Sequence, residues 1–193
     1  CLLHGFRNAC HERTIAEVFR REAPGLSISL SSDVSPDIGE FERASTTVAN
    51  AYVRPIIRRY LDELASKLRD AGITASEPLI MTSDGGTIPC ATAAKYPVRL
   101  IESGPAGGAM AAAFLGGLSN HSDLIAFDMG GTTAKICIIE DGTPSRVGSF
   151  EVGHVYRFAR GSGLPIRAPV LEMIEIGAGG GSVAQGSELG LLK

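Results

Sequence analysis

The four cysteines of this 193-residue chain, Cys1, Cys10, Cys90 and Cys137, are widely spaced, and no two form the CxxC pair that marks zinc or a redox centre. Reduced, mostly buried thiols are expected. No apolar run reaches the roughly 18 to 20 residues that span a bilayer, and the first residues show no basic region followed by a signal-peptide core. A cytoplasmic location and no membrane partner are the expectation. Positive charge is not in surplus either: the formal charge is -3, and Lys and Arg do not cluster with interleaved aromatics, which argues against nucleic acid as a partner. His4, His11 and His121 have no metal-ligand spacing. Without a Gly-x-Ser-x-Gly elbow, hydrolysis by a serine triad has no support. Internal repeats and low-complexity tracts are absent as well.

What is present, 44% hydrophobic and 20% charged residues, suits one compact unit or two small lobes. Leu2, Leu3 and His4 read as the end of a strand, and the last residues follow at once on the glycine-rich turn 177–182, so a piece of a longer protein is expected. Asn8 can cap a helix running to about Glu22, with Ile15, Val18 and Phe19 on one face. A short strand is predicted over 26–30. Asp37 and Glu40 have capping-box spacing ahead of an apolar stripe through Phe41, Ala44, Val48, Tyr52, Ile56, Tyr60, Leu64 and Leu68, closed by Gly72. Pro55 should kink or divide this helix.

Residues 78–82 read as a buried strand stopping at Ser83-Asp84-Gly85-Gly86, and 98–101 as a second strand stopping at Glu102-Ser103-Gly104-Pro105. A closely packed helix follows over 106–118. Strands 124–128, 133–139 and 145–152 then form a β-meander with turns at Gly130-Gly131 and Asp141-Gly142. A loop over 157–169 precedes a last strand, 170–176. This order predicts an α/β protein with a mixed sheet and flanking helices, and a lobe boundary near 119–123.

Four strand-to-glycine turns are the candidates for chemistry. In DMGGTTAK, an apolar strand brings Asp128 to its carboxyl end, Gly130 and Gly131 permit a tight turn, and Thr132 and Thr133 add hydroxyls. A phosphate needs such close backbone approach, convergent N–H donors and a carboxylate to hold Mg²⁺ or its waters; a plain hairpin is the alternative. Lys135, three residues after Thr132 on the strand, can reach a phosphate or point elsewhere. ESGPAGG places Gly104 and Gly107 at the start of a helix, an anion site or merely a closely packed helix. IGAGGGS, with Gly179, Gly180, Gly181 and Ser182, ends a strand and can approach a nucleotide or substrate, or form a mobile loop. SDGG is the fourth. Together the turns would crowd one rim of a sheet. His154 with Arg157, Arg160 and Arg167 can bind a carboxylate or phosphate, or line a solvated loop.

At EFERASTTVANAYVRP (40–55), MTSDGG (81–86), ESGPAGG (102–108), FDMGGTTAK (127–135), RGSGLPIRAP (160–169) and IEIGAGGGS (174–182) the chain resembles, over nearly its whole length, the hydantoinase A/5-oxoprolinase family. That resemblance implies an actin-like, ribonuclease H-like ATPase fold, incomplete here: residues 1–122 would end the first lobe with its connecting helices, and 123–193 would start the second. It implies ATP and Mg²⁺ as cofactors, with Asp128 orienting the metal or an attacking water and Gly130, Gly131, Thr132 and Thr133 holding phosphates. Lys135, Gly104 and Gly107 would assist, and Gly179, Gly180, Gly181 and Ser182 would border the nucleotide or second substrate. It further implies ATP-driven opening of a cyclic amide such as a hydantoin or 5-oxoproline, or carboxylation of a ketone, alongside a second hydantoinase-type subunit. A sugar-kinase-like phosphotransferase and a non-catalytic nucleotide-binding subunit remain alternatives on the same fold. The piece alone is expected to be inactive.

Overall fold

The computed structural model describes residues 1–74, 77–156, 161–183 and 186. In chain order the elements are α1 (Cys10–Glu22), α2 (Ser31–Val34), α3 (Glu40–Asp70), β1 (Leu79–Met81), β2 (Thr87–Pro89), α4 (Cys90–Lys95), a 3₁₀ turn (Pro97–Leu100) and α5 (Ser103–Leu118). Then follow β3 (Leu124–Met129), β4 (Ala134–Glu140), β5 (Thr143–Pro144), β6 (Arg146–Val147), β7 (Phe150–Val152), β8 (Leu164–Ile166), β9 (Val170–Leu171) and β10 (Ile174–Ile176). By packing, the chain divides into residues 1–103 with 147–170, and residues 104–146 with 171–193.

The first unit is organised by α3. Its carboxyl end is a glycine-terminated cap: Gly72 takes φ +80°, its amide bonds Arg69 O at 2.9 Å, and the Ile73 amide reaches back to Leu68 O at 2.9 Å. Its start differs from the expected capping box. Gly39, at φ +103°, precedes the helix and no side chain caps it; a Cβ there would meet Glu42 Oε2 at 2.6 Å. Pro55 does not divide the helix, which runs unbroken for 31 residues, because one missing donor removes a single i→i−4 bond and the flanking turns carry the rest.

The buried face of α3 is not the apolar stripe. Phe41, Val48, Tyr52, Ile56 and Tyr60 are all exposed, whereas Arg43, Thr46, Thr47, Asn50 and Leu61 are buried. Burial of so many polar groups requires partners. Arg43 donates to Leu2 O at 2.6 Å and Asp37 O at 3.3 Å and lies over the Phe6 ring. Thr46 and Thr47 donate to the carbonyls of Glu42 and Arg43, each at 2.7 Å, and the Thr46 hydroxyl accepts the Arg167 amide at 2.8 Å. Asn50 donates to Lys95 O and Ser29 Oγ, both at 3.2 Å, and accepts the Val98 amide at 3.3 Å. Beside this polar seam sits a small core of Val34, Val98, Ile166 and Ala168.

Those bonds explain two departures from the predicted elements. Residues 26–30 join no sheet: Ile28 O accepts from Arg54 of α3 and Leu30 O from the Asp33 and Val34 amides, while Asn50 holds the Ser29 hydroxyl. Residues 98–101 are not a strand: Pro97–Leu100 is a 3₁₀ turn whose Arg99 carbonyl takes both the amide (2.8 Å) and hydroxyl (2.7 Å) of Ser83. In α1, Asn8 Oδ1 does accept the Cys10 amide at 3.0 Å, but Ile15, Val18 and Phe19 are exposed and the buried residues are Glu12 and Ala16. The expected buried thiols also need correction, because Cys1 and Cys10 are exposed, Cys90 is half-buried, and only Cys137 is buried.

In the second unit the strand order is β10-β4-β3, with β5 also on β4, and every pair is antiparallel. The expected mixed sheet is thus replaced by antiparallel ones, as tight turns demand: Asp141 (φ 49°) and Gly142 (φ 73°) form the two-residue connection from β4 to β5, and parallel neighbours would need a long crossover. The strand predicted over 145–152 is broken into β6 and β7, and β7 pairs with β8 in the first unit, Phe150 opposite Ile166. That pairing also puts a strand, β8, inside the predicted loop 157–169; residues 157–160 lie outside the described ones. The alanine- and glycine-rich α5 packs through Ala106 and Ala109 against Cys137 and Leu171, with Ala126 and Met173 at the margin. Among the described residues, no helix is long and apolar enough to cross a membrane.

Candidate functional site

The turn between β3 and β4 is closed by the Gly130 amide donating to Thr133 O at 3.0 Å. Gly131 and Thr132 are exposed, and among the described residues their amides have no acceptor. Asp128, one residue before the strand ends, is exposed and has neither hydrogen bond nor ion pair among the described residues. A Cβ built on Gly131 would meet nothing within 4 Å, and one on Gly130 only Thr133 O at 3.8 Å. Protein packing therefore does not require glycine at either position; open space lies over this backbone, where a ligand can come close.

The second glycine turn lies against the first. Gly180 donates to Gly130 O and Gly181 to Gly131 O, both at 2.9 Å, while Ser182 Oγ accepts the Gly179 amide at 3.1 Å. Gly179 is buried between them. The register Asp128↔Lys135 and Glu175↔Lys135 places three charged residues in one row across β3, β4 and β10, on one face of the sheet. Lys135 Nζ is paired with Glu175 Oε1 at 3.3 Å, its side chain only 13% exposed. Glu175 is the member that sequence reasoning passed over, although its place between Ile174 and Ile176 carries the period-2 alternation that turns it to the opposite face.

Gly104 and Gly107 lie in the first turns of α5. The same stretch contributes Pro105 and Gly108 to a cleft of about 350 Å³ that Asp128, Lys135, Ala126 and Met173 also line. Three of the four glycine turns thus meet in this unit. The fourth does not: SDGG turns the β1–β2 hairpin of the first unit, Met81 opposite Thr87, with Gly85 at φ +80°. Its Asp84 carboxylate accepts the Thr82 hydroxyl and the Gly86 amide (3.3 Å), so the turn is satisfied from within.

The basic candidates take structural partners. Arg167 donates to Ile38 O and lies 4.0 Å from Glu42. His154 Nδ1 is 3.3 Å from Ser162 Oγ and 3.6 Å from Glu151; Arg157 and Arg160 lie outside the described residues. No group of His, Cys, Asp and Glu that could hold a metal by itself occurs among the described residues. Burial pushes the Cys137 thiol up, with the nearby Glu172 charge adding to it, which leaves this thiol inert.

Two adjacent amides with no acceptor among the described residues can receive an anion, and the carboxylate of Asp128 near them can hold a cation that accompanies it. A sequence model described as Hydantoinase/oxoprolinase matches residues 43–193, and the chain belongs to that family. It is 37% identical over 185 residues to an uncharacterised protein of Methanocaldococcus jannaschii, covering 94% of this chain and 27% of that one. To the 5-oxoprolinase of Saccharomyces cerevisiae it is 34% identical, covering 94% and 13%, and to the alpha subunit of a caprolactamase of Pseudomonas jessenii 30%, covering 97% and 25%. Among solved structures it is similar to an acetone carboxylase in nucleotide-free form (TM-score 0.75, 25% identity, 98% of this chain and 26% of that one) and to the ATP-dependent caprolactamase of P. jessenii (0.73, 29%, 97% and 26%). The chain therefore spans about a quarter or less of these relatives.

Proposed function

We propose that the parent of this chain is an ATP-dependent amidohydrolase that opens cyclic amides, on an actin-like fold whose second lobe begins near residue 123 and whose first lobe ends within 1–122. One observation carries the reading: among the described residues the Gly131 and Thr132 amides, open to close approach, have no acceptor and the Asp128 carboxylate has no hydrogen bond or ion pair. Phosphoryl chemistry of this kind depends on positioning and charge neutralisation, for which backbone donors and one carboxylate are suitable parts. The Gly131 and Thr132 amides donate to phosphate oxygens, and the Thr132 and Thr133 hydroxyls add further donors. Asp128, without a hydrogen bond or ion pair among the described residues, suits Mg²⁺ or its bound waters. When bound, ATP with Mg²⁺ supplies the activation of the amide carbonyl that lets water open the ring. Lys135, already paired with Glu175, contributes a partly screened positive charge to the same face.

The cyclic-amide reading rests on the 5-oxoprolinase and the ATP-dependent caprolactamase among the similar proteins. Ketone carboxylation is the second reading, favoured by the likeness to acetone carboxylase. The subunit names of the caprolactamase and carboxylase relatives support a partner subunit, and four unpaired cysteines suit a cytoplasmic setting. The test is phosphate release from ATP by the full-length protein with its partner, offered hydantoins, 5-oxoproline, caprolactam, or acetone with bicarbonate. Stimulation by a lactam or hydantoin is expected. Stimulation by the ketone alone selects carboxylation, a stable phosphorylated product selects a kinase, and no turnover with any substrate sinks the ATP-coupled reading.

A further inference from the structure

We propose that the 178–182 turn does not touch nucleotide but acts as a clamp that sets the polarity of the phosphate turn, with Gly179 as its positioning residue; the catalytic consequence rests on the ATP reading above. In a trans peptide the carbonyl of one residue and the N–H of the next point in opposite directions across one plane. No peptide bond here is cis. Gly130 O and Gly131 O are both held by the amides of Gly180 and Gly181 at 2.9 Å, so the N–H groups of Gly131 and Thr132 must point away from the clamp. Rotating either peptide plane by half a turn would bring N–H against N–H at the clamp and aim a carbonyl oxygen outward. An anion meeting that carbonyl is repelled, whereas one meeting the native N–H pair is bound. Two glycine-rich residues such as Gly130-Gly131 are free to make that rotation in isolation, and the two clamp bonds prevent it.

The requirement for glycine in the clamp is graded. A Cβ on Gly179 would stand 2.6 Å from Gly131 C and Thr132 N and 2.7 Å from Gly130 O, all backbone atoms of the phosphate turn that cannot swing aside. A Cβ on Gly181 would meet Gly131 O at 3.0 Å, and one on Gly180 would meet Gly130 O at an ordinary 3.7 Å. Steric pressure on the clamp therefore ranks Gly179 first, Gly181 second and Gly180 last. Direct contact with nucleotide would reverse this, because Gly180 and Gly181 are exposed and Gly179 is buried.

The experiment has two parts, both on the full-length protein with its partner. Residue-resolved hydrogen exchange on the wild type, with and without ATP and Mg²⁺, should find Gly180 and Gly181 protected throughout and Gly131 and Thr132 protected only with nucleotide. Then Gly179→Ala, Gly181→Ala and Gly180→Ala are compared by ATP titration. Affinity is expected to fall roughly tenfold or more, a few-fold, and less than about twofold respectively, with KM for the cyclic amide and the melting point of Gly180→Ala unchanged. Free exchange at Gly180 and Gly181, or Gly180→Ala as damaging to ATP binding as Gly179→Ala, overturns the clamp. If Gly180 and Gly181 are protected while Gly131 and Thr132 ignore ATP, the clamp stands and it is the ATP reading that fails.

Discussion

The hairpin turn at Ser83-Asp84-Gly85-Gly86 and the turn after Asp128 are written alike: an apolar strand, an acid, then paired glycines. In the first, the acid lies inside the turn, and its carboxylate consumes the Thr82 hydroxyl and the Gly86 amide. In the second, the acid is still on the strand, two residues before the glycines, and the turn amides at Gly131 and Thr132 stay unmet. A shift of one position in the acid decides whether a glycine turn closes on itself or waits for something else. Glu12 shows the first situation at its fullest. It accepts the Leu2 amide (2.9 Å), the Ser31 hydroxyl and the Ser32 amide (2.9 Å). Burial opposes its charge, but the hydrogen bonds from Ser31, Ser32 and Leu2 outweigh that and hold its pKa at about 2.

If self-satisfied and open sites differ as described, their variants should separate cleanly. Glu12→Gln should cost the most in stability, about 2 kcal/mol, measured by denaturant unfolding at neutral pH. Because the folded pKa is depressed, the Glu12 contribution is complete above the ordinary carboxylate value of about 4.3 and fades as pH falls toward about 2. The gap between wild type and Glu12→Gln should close across that window, and a gap constant from pH 7 to pH 2.5 would contradict the assignment. Asp128→Asn in the full-length enzyme should slow ATP turnover roughly tenfold or more, while Asp84→Asn leaves it within about twofold; equal effects would erase the contrast between the two turns. Asp84→Ala should lower stability by about 1 kcal/mol, because the Thr82 hydroxyl and the Gly86 amide lose their acceptor. Smallest of all, Gly131→Ala should leave stability within about 0.5 kcal/mol, since nothing crowds its Cβ, yet weaken ATP binding in a titration.

Much of the local structure was legible because local rules governed it. Gly72 ends α3, Asp141-Gly142 turns β4 into β5, and Asp128 rides at the end of β3 as predicted. Periodicity misled where it gave a face without saying what the face meets: the α3 stripe from Phe41 to Tyr60 is exposed and the polar flank of the helix is buried. Residues 26–30 and 98–101 carry strand-like composition, but Arg54 and Ser83 take the carbonyls of Ile28 and Arg99 first. In the site, all the glycines were visible in sequence. The approach of 179–181 to 130–131 depends on pairing of distant segments that no local pattern encodes, and SDGG belongs to the other unit.

The buried polar seam of α3 bears on inheritance. Arg43, Thr46, Thr47 and Asn50 lie within the stretch that the family model matches, yet the hydrogen bonds they make hold backbone segments and the Ser29 hydroxyl in place. A descendant could keep all four while losing Asp128, and it would still fold alike and be grouped with its relatives. On the proposed function, ancestry and reaction are recorded in different residues of this protein, and a lineage can shed the second without leaving a mark on the first.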